Sequence, residues 1–163
     1  GIDPKVVEQV TKAVRKVTDK PVIVKLSPNV TDIVEIAKAV EAGGGNGVSL
    51  INTLLGMAID IHRRKPLLGN IYGGLSGPAV KPVALRMVHQ VYKGVTIPII
   101  GLGGIMTGTD AIEFMMAGAQ AVQVGTATMV DPTAISRIAR EMGDFVEQYN
   151  LNSITDIVGA VHQ

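Results

Sequence analysis

The sequence has 163 residues, 47% of them hydrophobic, and its 15 lysines and arginines almost balance 14 aspartates and glutamates. This near-neutral charge argues against a nucleic-acid-binding protein, and the hydrophobic fraction excludes a disordered segment. There is no cysteine, which excludes disulfides and a cysteine nucleophile or proton-transfer base within these residues. No apolar run could span a bilayer and no signal peptide opens the sequence, so a cytoplasmic protein is expected.

Helices and strands alternate along the predicted chain. Apolar residues at spacings of three and four predict a helix over 3–18, with Asp3 as its cap. Asp32 and Asp110 are the predicted caps of two later helices. Short apolar runs predict strands, and the first is apolar on both faces, as in a strand buried on both sides. The predicted strands are 22–26, 47–54, 97–105 and 121–128, and the later helices are 32–42, 78–92, 110–117, 131–149 and a short one from 153.

The order of elements, one helix and then four strand–helix units, predicts an α/β fold with a parallel sheet. Two architectures compete, because a doubly wound sheet can close with four strands, whereas a TIM (β/α)8 barrel needs eight strands and about 250 residues. The leading helix has no strand before it, which favours a single C-terminal half-barrel over residues 1–163. Such a half would leave sheet edges open, so alone it should dimerise, aggregate or need its other half.

One stretch, residues 55–77, lacks clean periodicity. It exceeds the length that a plain connection between two elements needs, which indicates a functional segment. We interpret it as a stretch that closes over the site or meets a partner protein.

Glycines and polar residues follow the predicted strands, where ligands bind in parallel α/β folds. Gly103 and Gly104 precede a helix, and Gly125 with Thr126 follows the next strand. This pattern is typical of phosphate binding by backbone N–H groups. A tight turn explains the first glycine pair equally well, and the second pair on the neighbouring strand favours phosphate.

Lys25 and Asn52 are the polar side chains at two other strand ends. Lys25 could hold an anionic ligand or stabilise negative charge on a cofactor ring, or it could simply extend into solvent. The amide of Asn52 could bind a planar, amide-containing ligand or could cap the strand end. The three histidines have no metal-ligand spacing, so no metal site is expected, and the serine-hydrolase, zinc-protease and P-loop motifs are absent.

Five segments together resemble the C-terminal half of class 1B dihydroorotate dehydrogenase. They are VKLSPNVTDI (24–33), INTLLG (51–56), GGLSGPAVKPVALR (73–86), IPIIGLGGI (97–105) and AVQVGTAT (121–128). The resemblance implies the FMN-containing catalytic subunit of an NAD-linked oxidoreductase that oxidises dihydroorotate to orotate in pyrimidine (UMP) biosynthesis. It also implies a homodimer, with FAD and an iron–sulfur cluster on a partner electron-transfer subunit.

The resemblance implies roles for nine residues. Lys25 would stabilise the reduced, anionic flavin, and Asn52 and Thr53 would bind the pyrimidine. The family's proton-abstracting cysteine lies before residue 1, so no catalytic residue is carried over and the isolated chain is expected to be inactive. Another phosphate-ligand or flavin barrel enzyme, and a non-catalytic truncated fragment, stay open as alternatives. The implied FMN-binding residues are Lys25, Ile51, Gly77, Gly103, Gly104, Gly125 and Thr126.

Overall fold

The computed structural model describes residues 1–162, in which the four predicted strands alternate with helices and four further short strands follow the second of them. None of the helices in this range is long and apolar enough to cross a membrane. The helices are α1 (Pro4–Arg15), α2 (Ile33–Ala42), α3 (Lys81–Tyr92), α4 (Gly108–Met116), α5 (Thr126–Val130) and α6 (Ala134–Gln148). The strands are β1 (Ile23–Leu26), β2 (Gly47–Leu50), β3 (Leu54–Met57), β4 (Ile59–Asp60), β5 (Lys65–Pro66), β6 (Tyr72–Leu75), β7 (Ile99–Leu102) and β8 (Ala121–Gln123).

Four of the strands form one parallel sheet in the order β1, β2, β7, β8. Lys25 is paired with Ser49, Ser49 with Ile100, and Ile100 with Ala121 across it. The spatial order follows the chain without a reversal, whereas a doubly wound sheet reverses its strand order at a switch point. The predicted parallel α/β fold is confirmed, and the order is that of strands in a barrel.

Helices cover one face of this sheet within residues 1–162. Val48, Leu50 and Ile99 pack among the helices and are at most 1% exposed. The opposite face is open: Ile23 is 50% exposed, and Lys25 on the same face is exposed as well. The prediction that the first strand is buried on both sides is therefore wrong for this chain. In a closed (β/α) barrel the open face is the one that lines the barrel axis, so the arrangement is that of part of a barrel.

Three of the four parallel strands, β2, β7 and β8, are shorter than predicted at their carboxyl ends. β2 ends at Leu50, four residues early, because the chain beyond it leaves the regular ladder while keeping single bonds to its neighbours. Ile51 N–H donates to the Leu102 carbonyl at 2.8 Å, and Asn52 N–H donates to the Leu26 carbonyl at 2.9 Å. After β8, helix α5 begins at Thr126, inside the predicted strand. These early ends leave irregular backbone at one edge of the sheet.

Side-chain caps begin three of the helices, α1, α2 and α4, and the predicted cap of α4 needs a correction. Asp3 and Asp32 accept backbone N–H groups at 2.8 Å, as predicted. The cap of α4 is Thr107 rather than Asp110, which lies at the third helical position of a capping box. The box needs a hydroxyl residue and an acid three residues apart. The pair Asp110 and Glu113 has the same spacing as that box, which explains the wrong prediction.

The stretch 55–77 contains regular structure that its sequence does not reveal. β3 pairs with β6 and β4 pairs with β5, in two antiparallel ribbons. Strands of two to four residues that contain glycines, as in β6, are too short to show an alternating pattern. Leu55, Met57 and Tyr72 share one face of the larger ribbon and are 68%, 49% and 57% exposed. This stretch thus forms two short ribbons, and the larger one has an exposed apolar face.

Candidate functional site

An open cleft lies at the carboxyl end of the parallel sheet and contains about 490 Å³ of empty space. Its walls come from the ends of all four parallel strands and from the connection between β6 and α3. All nine residues that the sequence singled out lie in these walls; what they bind stays a prediction. They are Lys25, Ile51, Asn52, Thr53, Gly77, Gly103, Gly104, Gly125 and Thr126.

Lys25 gives the cleft its charge. It is the only charged side chain among the described lining residues, and no carboxylate lines the cleft there. Because Lys25 is exposed, its ammonium is available without the cost of burying an unpaired charge. The side chains of Ile51, Leu102 and Val80 add apolar surface. The cleft therefore suits a ligand that combines negative charge with a flat, partly apolar body.

Asn52 and Thr53 follow β2 in an irregular segment whose first peptide bond, Leu50–Ile51, is cis. The Asn52 side-chain oxygen accepts the Thr53 N–H at 2.9 Å. The Asn52 amide nitrogen makes no hydrogen bond to any residue in the range 1–162 by the usual distance and angle limits. This nitrogen can therefore donate to a polar ligand in the cleft.

Asn29, in the connection between β1 and α2, holds this segment in place. Its side-chain nitrogen donates to the Thr53 carbonyl at 3.1 Å, and its side-chain oxygen accepts the Leu55 N–H at 2.9 Å. One side chain thus reproduces the paired bonds of a neighbouring strand. Sequence reasoning did not select Asn29, although its place just after a strand, within the SPN of the first quoted segment, was the available signal.

Two glycine turns meet at the wall of the cleft. Gly77 and Gly104 have positive φ angles of 85° and 79°, which side-chain-bearing residues rarely adopt. A methyl group on Gly104 would put its carbon 2.7 Å from the Gly77 carbonyl oxygen and 2.9 Å from the Lys81 nitrogen. Only glycine at position 104 lets the two turns approach so closely.

Hydroxyl groups and free backbone complete the wall beside these turns. The Thr126 hydroxyl donates to the Ser76 hydroxyl oxygen at 3.1 Å. Nothing lies within 4 Å of where a Cβ on Gly125 would stand, so a ligand can approach the backbone there. Ser76 was missed from the sequence, although it directly precedes Gly77. Glycine backbone and two hydroxyls form a set of donors suited to an oxyanion such as phosphate.

An ion cluster lies behind the glycine turns, and it links α3 to α4. The Lys81 ammonium donates to Asp110 at 2.6 Å and to Glu113 at 2.9 Å. The other oxygen of Asp110 accepts the N–H groups of Met106 and Thr107, both at 2.9 Å. Hydrogen bonds to Asp110 and then to Glu113 raise the pKa of Lys81. Burial alone would raise the pKa of Asp110, but the hydrogen bonds from Lys81 and the backbone outweigh it and lower that pKa.

Replacing Asp110 with asparagine is expected to lower the free energy of unfolding by about 1–3 kcal/mol at pH 7. The pKa of Asp110 is lower in the folded state than its ordinary value of 3.8, so its charge stabilises the fold above about that pH. This contribution is lost as the pH falls through the lower, folded-state pKa. Urea unfolding at pH 7 and near pH 2–3 checks this prediction. The difference in free energy of unfolding between the variant and the parent should be smaller in acid. A gap of constant size would contradict it.

Known proteins are similar to this chain over nearly its whole length. A family model described as dihydroorotate dehydrogenase matches residues 1–146. The chain is 62% identical over 159 residues to the dihydroorotate dehydrogenase B (NAD(+)) catalytic subunit of Alkaliphilus oremlandii, covering 98% of this chain and 53% of that protein. Proteins of the same name from a Geobacter species and from Phocaeicola vulgatus are 59% and 58% identical over 99% and 94% of this chain, and over 53% and 50% of their own lengths. The chain thus spans about half the length of the curated relatives it matches.

Proposed function

This chain belongs to the dihydroorotate dehydrogenase family, and from that premise we propose that it is part of a flavoenzyme that oxidises dihydroorotate to orotate. We infer that it forms the C-terminal half of the FMN-containing catalytic subunit in pyrimidine biosynthesis. The observation that supports this most is the composition of the cleft, in which Lys25 is the only charged lining residue of the described chain. The ring amide groups of dihydroorotate match the amide donor of Asn52, and the negative charge of a reduced flavin ring matches the lysine.

FMN fits the cleft by the chemistry of its donors. Gly103, Gly104 and the open backbone at Gly125 would hold the phosphate, together with the Thr126 hydroxyl. Ile51 would lie against the ring. When bound, FMN supplies the acceptor for the hydride that leaves dihydroorotate. The sequence has no cysteine, so the proton acceptor that the family uses would come from outside these residues.

The residues of this chain would bind, orient and stabilise charge. Lys25 would place positive charge where negative charge develops during the reaction. Asn52 and Thr53 would hydrogen-bond the pyrimidine and fix its orientation, held in turn by Asn29. Correct placement of this kind can account for a large part of a rate enhancement.

The experiment uses the purified full-length protein that contains this chain. Bound FMN should give a visible absorption band, and anaerobic dihydroorotate should bleach it. Flavin that stays oxidised would overturn the proposed substrate. Phosphate binding without any flavin would instead favour a different barrel enzyme that acts on a phosphorylated ligand.

The names of the relatives, a catalytic subunit of an NAD(+) enzyme, support a proposal about partners. A second subunit with FAD and an iron–sulfur cluster would carry electrons from FMN to NAD, and the catalytic subunit would be a homodimer in the cytoplasm. Dihydroorotate-dependent NADH formation should then require both subunits. NADH formation by the catalytic subunit alone would contradict this.

Replacing Asn29 with alanine is expected to weaken orotate binding about tenfold, because two hydrogen bonds that hold residues 53–55 are lost, each contributing about 0.5–1.5 kcal/mol. Asn46→Ala is the matched control: its side-chain oxygen accepts the Val22 N–H at 2.9 Å at the opposite end of the sheet. Both variants should lose some stability, but only the first should bind orotate more weakly, as measured by titration of the flavin spectrum. Equal orotate affinity in the two variants would show that Asn29 does not position the segment.

A further inference from the structure

The two glycine turns in the wall of the cleft belong to different strand–helix units. Gly77 precedes α3, and Gly104 lies between β7 and α4. The atoms that would crowd a side chain on Gly104 are the Gly77 carbonyl oxygen, the Lys81 nitrogen and the Lys81 Cβ, at 2.7, 2.9 and 3.0 Å. The second turn therefore packs against α3 at Lys81, and also at Ala84 beside Gly103. A shift of α3 relative to α4 would separate the two turns.

The side chain of Lys81 also fixes the position of α3 relative to α4. Its ammonium bonds to Asp110 and Glu113, both on α4, at 2.6 and 2.9 Å. Asp110 uses its second oxygen to hold the N–H groups of Met106 and Thr107, which follow Gly104 by two and three residues. One continuous chain of bonds thus runs from the start of α3 to the segment behind Gly104. The side chains of Lys81 and Asp110 are only 25% and 15% exposed, so solvent weakens the bond between them little. Glu113 is 40% exposed, and its bond to Lys81 is the weaker of the two.

We propose that Lys81 is a positioning residue for the phosphate end of the bound cofactor, acting through the Gly77 and Gly104 turns. The inference rests on the proposed function, since it takes the ligand of these turns to be the FMN phosphate. Lys81 keeps the two turns in contact, and so keeps their backbone groups at the spacing that one phosphate requires.

The positive charge of Lys81 also favours phosphate binding. Lys81, Asp110 and Glu113 together carry a net charge of about −1, and without the lysine the two carboxylates behind the turns would carry −2. The two carboxylates without the lysine would repel a phosphate at the cleft wall more strongly. Loss of Lys81 should therefore weaken the binding of a phosphorylated ligand by both geometry and charge.

The test compares FMN with riboflavin, which has the same ring but lacks the phosphate. The apo form of the full-length protein that contains this chain is titrated with each flavin, and quenching of flavin fluorescence gives the dissociation constants. Lys81→Met should weaken FMN binding about tenfold and leave riboflavin binding within about twofold. Lys81→Gln removes the charge but keeps a hydrogen-bond donor, and provides the same comparison if the methionine variant does not fold. Lys81→Arg should restore FMN affinity, because it can pair with both carboxylates.

Lys93→Met is the matched control, since Lys93 is an exposed lysine at the other end of α3, and it should leave both affinities unchanged. Equal weakening of FMN and riboflavin by the Lys81 variants would mean a general structural role and would overturn the inference. Unchanged FMN affinity would overturn it as well. If the parent protein binds neither flavin, the proposed function fails first, and this inference fails with it.

Discussion

On the proposed function, replacing Lys25 with alanine in the full-length protein is expected to slow reduction of bound flavin by dihydroorotate about 10²–10³-fold, with a much smaller loss of dihydroorotate affinity. Removing one preorganised electrostatic contact to developing charge typically costs this much. Lys25 is the only charged residue among the described cleft residues, so no other side chain there can replace it. Loss of a charge that is needed chiefly in the transition state lowers the reaction rate more than the substrate affinity.

Anaerobic stopped-flow mixing with a series of dihydroorotate concentrations separates the reduction rate from the dissociation constant. Lys20→Ala is the control, because Lys20 is an exposed lysine that precedes the amino end of the same strand. The bound flavin of this control variant should be reduced at the parent rate. Equal rates in the parent and the Lys25 variant would remove Lys25 from the mechanism, whatever happened to affinity.

Replacing Gly104 with alanine is expected to lower the free energy of unfolding by about 2–5 kcal/mol and to abolish retention of FMN. Its φ of 79° is costly for alanine, by about 1–2 kcal/mol. The added methyl group would also overlap the Gly77 carbonyl oxygen and the Lys81 nitrogen, at 2.7 and 2.9 Å. Both are backbone atoms at the wall of the cleft, so relief of the overlap must separate the two turns, at a further cost of about 1–3 kcal/mol.

Gly143→Ala is the same chemical change, and it is expected to have the opposite effect on stability. Gly143 lies within α6, and nothing stands within 4 Å of the position of its missing Cβ. Alanine there should raise stability by about 0.5–1 kcal/mol. Urea unfolding of the two variants tests both signs. A Gly104 variant as stable as the parent would mean that the two turns are not in contact.

The cleft residues could be found from sequence because of a general property of parallel sheets. Lys25, Asn52, Gly103 and Thr126 are far apart in the chain, yet each lies at or just after the carboxyl end of a parallel strand, and the ends of such strands converge. The competing fold could not be excluded from sequence, since periodicity does not specify strand order. Only the structure shows that the strand order has no reversal and that one face of the parallel sheet is open.

The residues that were missed act through long-range contacts. Asn29 bonds to a segment 24 residues away, and Lys81 bonds to Asp110 across 29 residues. The place of Asn29 just after a strand is a weak local signal, and no local pattern distinguishes Lys81 from an ordinary surface residue. The ribbons within 55–77 were missed for the opposite reason, because their strands are shorter than any reliable alternating pattern.

The way the cleft is assembled links its ligand to the folding of the whole sheet. Each of the four strand–helix units supplies part of the wall, from Lys25 in the first to Thr126 in the last. A ligand that spans the cleft binds only after all four have docked, so its binding energy is added to the native state and to no partly docked one. Such a ligand makes unfolding more cooperative as well as less favourable, and its loss allows the terminal units to open separately. Hydrogen exchange in β1 and β8 should then slow together when the cleft is filled.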